Sequence, residues 1–202
     1  MGRTLILNGS PRPAGNTAYL IHALREELEG EVMELSAFRA NIAPCVDCRG
    51  CWETAKCVVR DDMDLLYADD FDNVVLATPV YFRTLPAPLL GLMSRFQPQH
   101  AAQFFLHKPL KLRPKKAGLI LTAGGKGNEA GAEHHIRVLF MMLNAGGYED
   151  CAVRSLKTDT VPAEQDTWAL QDIRRLADWL NAPPDGTVHK PVYSMQTGQK
   201  GS

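Results

Sequence analysis

The sequence predicts one doubly wound α/β domain, a five-stranded parallel sheet with helices on both faces. Three observations predict it. Short unbroken apolar runs recur at Thr4–Leu7, Val74–Thr78 and Ala117–Thr122, the pattern of strands buried on both faces. Segments with apolar residues at helical spacing alternate with these runs. Polar and glycine-rich stretches follow the runs, where such folds place their ligand loops. With 202 residues, 45% of them hydrophobic, the chain can bury a substantial core, and residues 1–182 read as a single domain.

In chain order, Thr4–Leu7 is strand one, and Thr17–Leu28 places Leu20, Ile21, Leu24 and Leu28 on one helix face. Gly30 stops that helix, and Val32–Leu35 is strand two. Ala40–Arg60 reads as an irregular insertion holding four of the five cysteines. Asp61, Asp62 and Asp64 supply a cap and acidic first turn for a short helix ending near Ala68. Val74–Thr78 is strand three, followed by Pro79–Phe82, and Pro86–Phe96 is an amphipathic helix. Gln97–Lys116 reads as a long proline-bearing loop, a length that tends to be functional. Ala117–Thr122 is strand four, with Ala123–Asn128 after it. Ala132–Asn144 is a helix stopped by Gly146 and Gly147, Asp150–Leu156 the fifth strand, and Asp166–Leu180 the last helix. Pro183–Ser202 lacks periodicity and reads as a flexible tail or an arm on a partner.

Right-handed crossovers join these elements. In the strand order 2-1-3-4-5, the ligand crevice lies between the C-terminal ends of strands one and three. Asn8–Thr17 follows the first of these and Thr78–Phe82 the third, so the two loops are expected side by side. The formal net charge of −1 gives no reason to expect nucleic acid or an anionic membrane surface, and no apolar run is long enough to span a bilayer. The N-terminus is a strand pattern without a basic leader, which predicts the cytoplasm.

The first loop opens a helix with small, hydroxylated and glycine residues, an arrangement suited to an anion. Ser10, Asn16 and Thr17 offer side-chain donors, and Arg12 offers charge. No Gly-Lys-Ser/Thr follows, so a monophosphate fits better than a triphosphate. Thr78, Pro79, Val80, Tyr81 and Phe82 supply an apolar, aromatic edge with backbone donors and acceptors, suited to a planar heteroaromatic ring. Their alternative role is as core aromatics. Ala123, Gly124 and Gly125 offer further backbone N–H groups at the same sheet edge. Gly125–Ala130 matches a dinucleotide fingerprint, but it follows the fourth strand rather than the first and is set aside. Phosphate loop and ring loop together specify FMN.

Cys45-x2-Cys48-x2-Cys51-x5-Cys57 is the second chemical signal. Such compact spacing favours an iron–sulfur cluster over zinc, which usually takes two cysteine pairs with a longer spacer. A disulfide and plain buried thiols are the remaining outcomes. Trp52 either shields a cluster or fills an interface. Adjacent His134 and His135 are poor joint ligands, Cys151 reads as a small core residue, and Asp61 as a helix cap.

Asn8–Thr17, the cysteine segment running into Asp61–Met63, and Ala77–Phe82 together resemble the flavodoxin-fold NAD(P)H-dependent FMN reductase superfamily, nearest its iron–sulfur flavoproteins and their cluster-free relatives. The likeness runs from Arg3 to about Leu156. It implies that Ser10, Arg12, Asn16 and Thr17 hold phosphate, while Pro79–Phe82 and Ala123–Gly125 line the isoalloxazine. It also implies a homo-oligomer, dimer or tetramer, with subunits meeting near the flavin. A 4Fe–4S cluster on the four cysteines is implied by one branch and not by the other. The expected activity is electron transfer from NAD(P)H or a small electron carrier to a small acceptor such as a quinone or flavin. No side chain is named as catalytic, since the cofactor supplies the redox chemistry. The alternatives are a non-catalytic electron carrier and a zinc-stabilised mononucleotide-binding module.

Overall fold

A computed structural model describes residues 2–108, 112–125 and 129–183. The elements are β1 (Arg3–Asn8), α1 (Asn16–Glu27), β2 (Glu31–Ser36), α2 (Cys51–Thr54), α3 (Asp64–Ala68), β3 (Asn73–Pro79), α4 (Ala87–Ser94), α5 (Gln97–Phe104), β4 (Lys115–Thr122), α6 (Ala130–Met142), β5 (Ala145–Gly146), β6 (Val153–Ser155) and α7 (Thr167–Asn181). All sheet pairings are parallel, and the order is β2-β1-β3-β4-β5, with β6 also on β4. This is the flavodoxin-like order read from the sequence.

Alternation along the strands divides the core into two layers. Leu5, Leu7, Val74, Leu76, Leu119 and Leu121 face one side, where Leu89 and Leu92 of α4 and Ile136, Leu139 and Phe140 of α6 pack. Ile6, Val75, Ala77 and Ile120 face the other, against Leu20, Ile21 and Leu24 of α1 and Ile173, Leu176 and Leu180 of α7. Asp166 is the N-cap of α7, and its carboxylate accepts the Ala169 N–H at 3.1 Å.

Three expectations need correction. Gln97–Lys116 is not one loop: α5 occupies Gln97–Phe104, and β4 begins at Lys115. The face that α5 buries is Pro98, Gln99, Ala101 and Ala102, too small and polar to produce an apolar periodicity. Second, α6 ends at Met142, and the chain turns at Asn144 (φ 52°) before the two glycines. Third, the fifth-strand position is filled by two short segments, β5 and β6, flanking a turn at Tyr148–Cys151. Cys151 therefore lies in that turn rather than at a strand start, though it is buried and its thiol is pushed up to about 11, chiefly by burial. The tail from residue 184 onward and residues 126–128 of the loop after β4 lie outside the described residues.

Candidate functional site

The loops after β1, β3 and β4 are tied together at the C-terminal edge of the sheet. The Gly9 N–H donates to the Ala77 carbonyl at 2.8 Å, extending the β1–β3 ladder by one residue. The Val80 N–H donates to the Thr122 carbonyl at 2.9 Å. Thr17 and Thr122 join their buried hydroxyls at 2.8 Å, fixing the start of α1 to the end of β4. The Asn16 carbonyl oxygen Oδ1 accepts the Ala163 N–H at 2.9 Å, which leaves its amide NH2 to donate. Of the four candidate phosphate residues, Ser10 and Thr17 are buried, Asn16 is half-buried and Arg12 is exposed.

The start of α1 has the features of an anion cradle. Its N-cap is Gly15, which has no side chain to cap the helix, and no acidic residue stands in the first turn. The first-turn N–H groups are thus unopposed by any carboxylate of the helix itself. Gly9 has a spatial reason to be glycine: a Cβ there would lie 2.3 Å from Leu89 Cδ1 and 2.7 Å from Thr78 Oγ1. Both neighbours are fully buried, so Gly9→Ala is expected to cost about 1–3 kcal/mol by overpacking, read as a lower urea midpoint.

In the segment after β3, Val80 is part of the buried core, whereas Tyr81 and Phe82 are not. Tyr81 and Thr84 exchange backbone hydrogen bonds at 3.0 and 2.9 Å, closing a tight turn around Phe82 and Arg83. Both central residues have positive φ, 48° and 65°, although neither is glycine. Such conformations are costly for residues with side chains and gather at functional sites. The Phe82 ring is fully exposed and Tyr81 is 37% exposed, so neither ring fills the interior. In the third loop, Ala123 is less free than expected, because its N–H already donates to the Ser155 carbonyl at 2.9 Å. Gly124 packs against the Asp159 carboxylate, and Gly125 faces open space.

The four clustered cysteines converge. Cys45, Cys48, Cys51 and Cys57 line one pocket, together with Trp52, Val58, Arg95 and Pro98. α2 starts at Cys51, and Trp52 stacks on Phe105 of the α5 end at 4.4 Å between ring centres. Burial pushes the Cys51 thiol up, and the charges of the other three cysteines add to the same direction. All five cysteines are free thiols.

The sequence reading missed Arg95. It follows α4, is 2% exposed, and clamps the cysteine segment from beneath. Its Nη1 donates to Asp61 Oδ2 at 2.6 Å and to the Ala43 carbonyl at 2.8 Å. Its Nη2 reaches Asp61 Oδ1 at 3.2 Å and Cys57 Sγ at 3.4 Å. Asp61 also accepts the Met63 N–H at 3.1 Å, but it is not the helix cap expected of it: the N-cap of α3 is Met63, with no side-chain cap bond. Ser94, the last residue of α4, accepts the Cys45 N–H at 2.9 Å, and Gly91 admits Pro44 at close range. α4 therefore begins just after the Tyr81–Thr84 turn and ends under the cysteine pocket. Its eight residues span about 12 Å.

Sheet order and loop placement put the protein in the class of flavodoxin-like, mononucleotide-binding α/β folds. The sequence model of the NADPH-dependent FMN reductase family matches residues 3–153, and the chain belongs to that family. It is an FMN-dependent oxidoreductase. It is 32% identical to an iron–sulfur flavoprotein of Methanocaldococcus jannaschii over 157 residues, 72% of this chain and 77% of that one. An iron–sulfur flavoprotein of Methanosarcina thermophila is 30% identical over 181 residues, 86% and 91% of the two chains. Among solved structures, an NAD(P)H:quinone oxidoreductase from Methanothermobacter marburgensis shares the fold with a TM-score of 0.66 at 14% identity, covering 90% of this chain and 98% of that one. Among the described residues, no helix is long and apolar enough to cross a membrane.

Proposed function

We propose that the protein binds FMN across the three tied loops and a 4Fe–4S cluster on Cys45, Cys48, Cys51 and Cys57, and passes electrons from NAD(P)H or a small electron carrier to a small acceptor such as a quinone or flavin. The observation that carries the cluster is the convergence of all four thiols on one pocket. Among the described residues, no three of His, Cys, Asp and Glu stand close enough to hold a single metal ion. The names of the two archaeal relatives support the same reading.

In this reading Ser10, Arg12 and Asn16, with the uncapped N-terminus of α1, hold the phosphate, and Thr17 positions that helix through Thr122. Thr78–Phe82 and Ala123–Gly125 flank the ring, and the N–H groups of Gly124 and Gly125 are the donors that face added negative charge. When bound, FMN supplies two-electron chemistry and the cluster single-electron steps. The turn that would flank the ring and the cysteines that would hold the cluster stand at the two ends of α4, and Trp52 packs on Phe105 beside the cysteines. The exposed Phe82 ring suits an interface with a second copy of the chain near the flavin. Free thiols fit a reducing, cytoplasmic setting.

An absorption spectrum of anaerobically purified protein, with iron and acid-labile sulfide measured on the same sample, tests the reading. Two flavin bands with a broad extra shoulder, and four irons per FMN, are expected. Cys48→Ser is expected to remove most of the shoulder and the iron while leaving FMN at one per chain. Flavin without iron or sulfide after anaerobic reconstitution would remove the cluster from the proposal. Protein that binds FMN but does not turn over NAD(P)H with any quinone or flavin acceptor would point to a carrier fed by another donor.

A further inference from the structure

We propose that Arg95 sets the reduction potential of the cluster held by the four cysteines, a role that rests on the iron–sulfur reading above. Charged side chains are almost never as buried as this one, at 2% exposed, unless their charge is answered. Asp61 answers it, and the fork-on-carboxylate contact accounts for both Nη atoms. The guanidinium does more than that pairing requires. Nη2 also donates toward Cys57 Sγ at 3.4 Å, and Nε–H is buried with no acceptor at all. A buried donor without a partner needs an explanation, and an unplaced ion or group is one of the recognised ones. Arg95 lines the same pocket as the four thiols, and the Nη2 contact with Cys57 Sγ puts its guanidinium beside a sulfur that would hold the cluster.

The backbone holds this arrangement in place. Tyr67 donates its hydroxyl to the Arg95 carbonyl at 2.5 Å, and the Arg95 N–H continues the last turn of α4 to the Leu92 carbonyl at 3.0 Å. The guanidinium further donates to the carbonyls of Ala43 and Val59, which flank the cysteine segment on both sides. A lysine could neutralise Asp61, but a single ammonium cannot occupy these separate directions together. N–H groups and positive charge directed at cluster sulfurs favour the reduced state, which carries one more negative charge, and so raise the potential.

The test uses the full chain with FMN bound, reconstituted anaerobically, as wild type, Arg95→Lys and the double variant Arg95→Gln with Asp61→Asn. The double variant removes both buried charges, so it does not leave one of them uncompensated. Arg95→Lys keeps a cation opposite Asp61 and provides a second folded variant if the double one does not fold. Circular dichroism, FMN and iron per chain, and the cluster and flavin midpoints from a potentiometric titration followed by electron paramagnetic resonance are the readouts. Both variants are expected to keep FMN and iron. Their cluster midpoints should move to more negative values, further in the double variant, with the flavin midpoint unmoved. A cluster midpoint equal to wild type in either folded, iron-loaded variant overturns the proposal and leaves Arg95 a structural clamp. Loss of iron from both variants with FMN retained also overturns it, assigning Arg95 to assembly of the site. A wild type that takes up no iron refutes the iron–sulfur reading itself, and this proposal falls with it.

Discussion

Asp61→Ala is expected to destabilise the protein by about 3–5 kcal/mol, since it leaves one half of a buried ion pair uncompensated. Asp61 and Arg95 are 5% and 2% exposed at their side chains, so water cannot take over the lost partner. The same carboxylate accepts N–H bonds from Met63 and Ala43, and both would lose an acceptor. The pH dependence gives a second readout. Burial pushes the Asp61 carboxyl up, but Arg95 and the two backbone N–H groups outweigh it, and the group lies below the ordinary carboxylate value of 3.8. A carboxyl depressed in the folded state adds stability above its unfolded pKa, and that contribution disappears as pH falls through the folded value. The wild type should therefore lose this stabilisation below about pH 4, and Asp61→Ala should lack that part of the acid limb. Urea unfolding at pH 7 and at several pH values below 4 measures both effects. Equal stabilities at pH 7 would show that the pair does not hold the cysteine segment.

The reason that Arg95 escaped the sequence reading is physical. It stands at the end of an amphipathic helix, where an arginine reads as part of a solvated face, and its partner is 34 residues away. Only the folded chain brings Asp61 under α4. The strands that build the site were legible for the opposite reason. β1, β3 and β4 are buried on both faces, so their sequences are unbroken apolar runs. Asn8–Thr17 was legible because a strand-to-helix turn that leaves its N–H groups open must use small residues. The cysteine spacing was legible because three thiols two residues apart are rare by accident. The Tyr81–Thr84 turn left no signal: tight turns with positive φ normally advertise themselves through glycine or asparagine, and here the positions are Phe82 and Arg83. The fifth strand was only partly legible, because two or three paired residues are too short to set a periodicity.

That turn carries the second large prediction. Gly131 lies in the first turn of α6, and a Cβ there would fall 2.2 Å from the Arg83 carbonyl oxygen. The obstacle is backbone, so no rotamer change can relieve it. Gly131→Ala must push the turn away from the helix, and on the proposed reading it moves the loop that flanks the flavin ring. FMN affinity is expected to fall at least about tenfold, equivalent to about 1.4 kcal/mol. Phe82→Gly separates the ring from the backbone. With φ at 48°, glycine relaxes the conformation and is expected to add about 1 kcal/mol to stability, while the fully exposed ring contributes no burial within one chain. Removing that ring should nonetheless weaken flavin binding, so stability and affinity move in opposite directions. Fluorescence quenching on titrating FMN into flavin-free protein reads the affinities, and urea unfolding of the same samples reads the stabilities. Wild-type affinity in both variants, with the fold intact, would place the Tyr81–Thr84 turn outside the flavin site. Its two positive φ values would then call for a different occupant, and the exposed Phe82 ring would make a second copy of the chain the next to test.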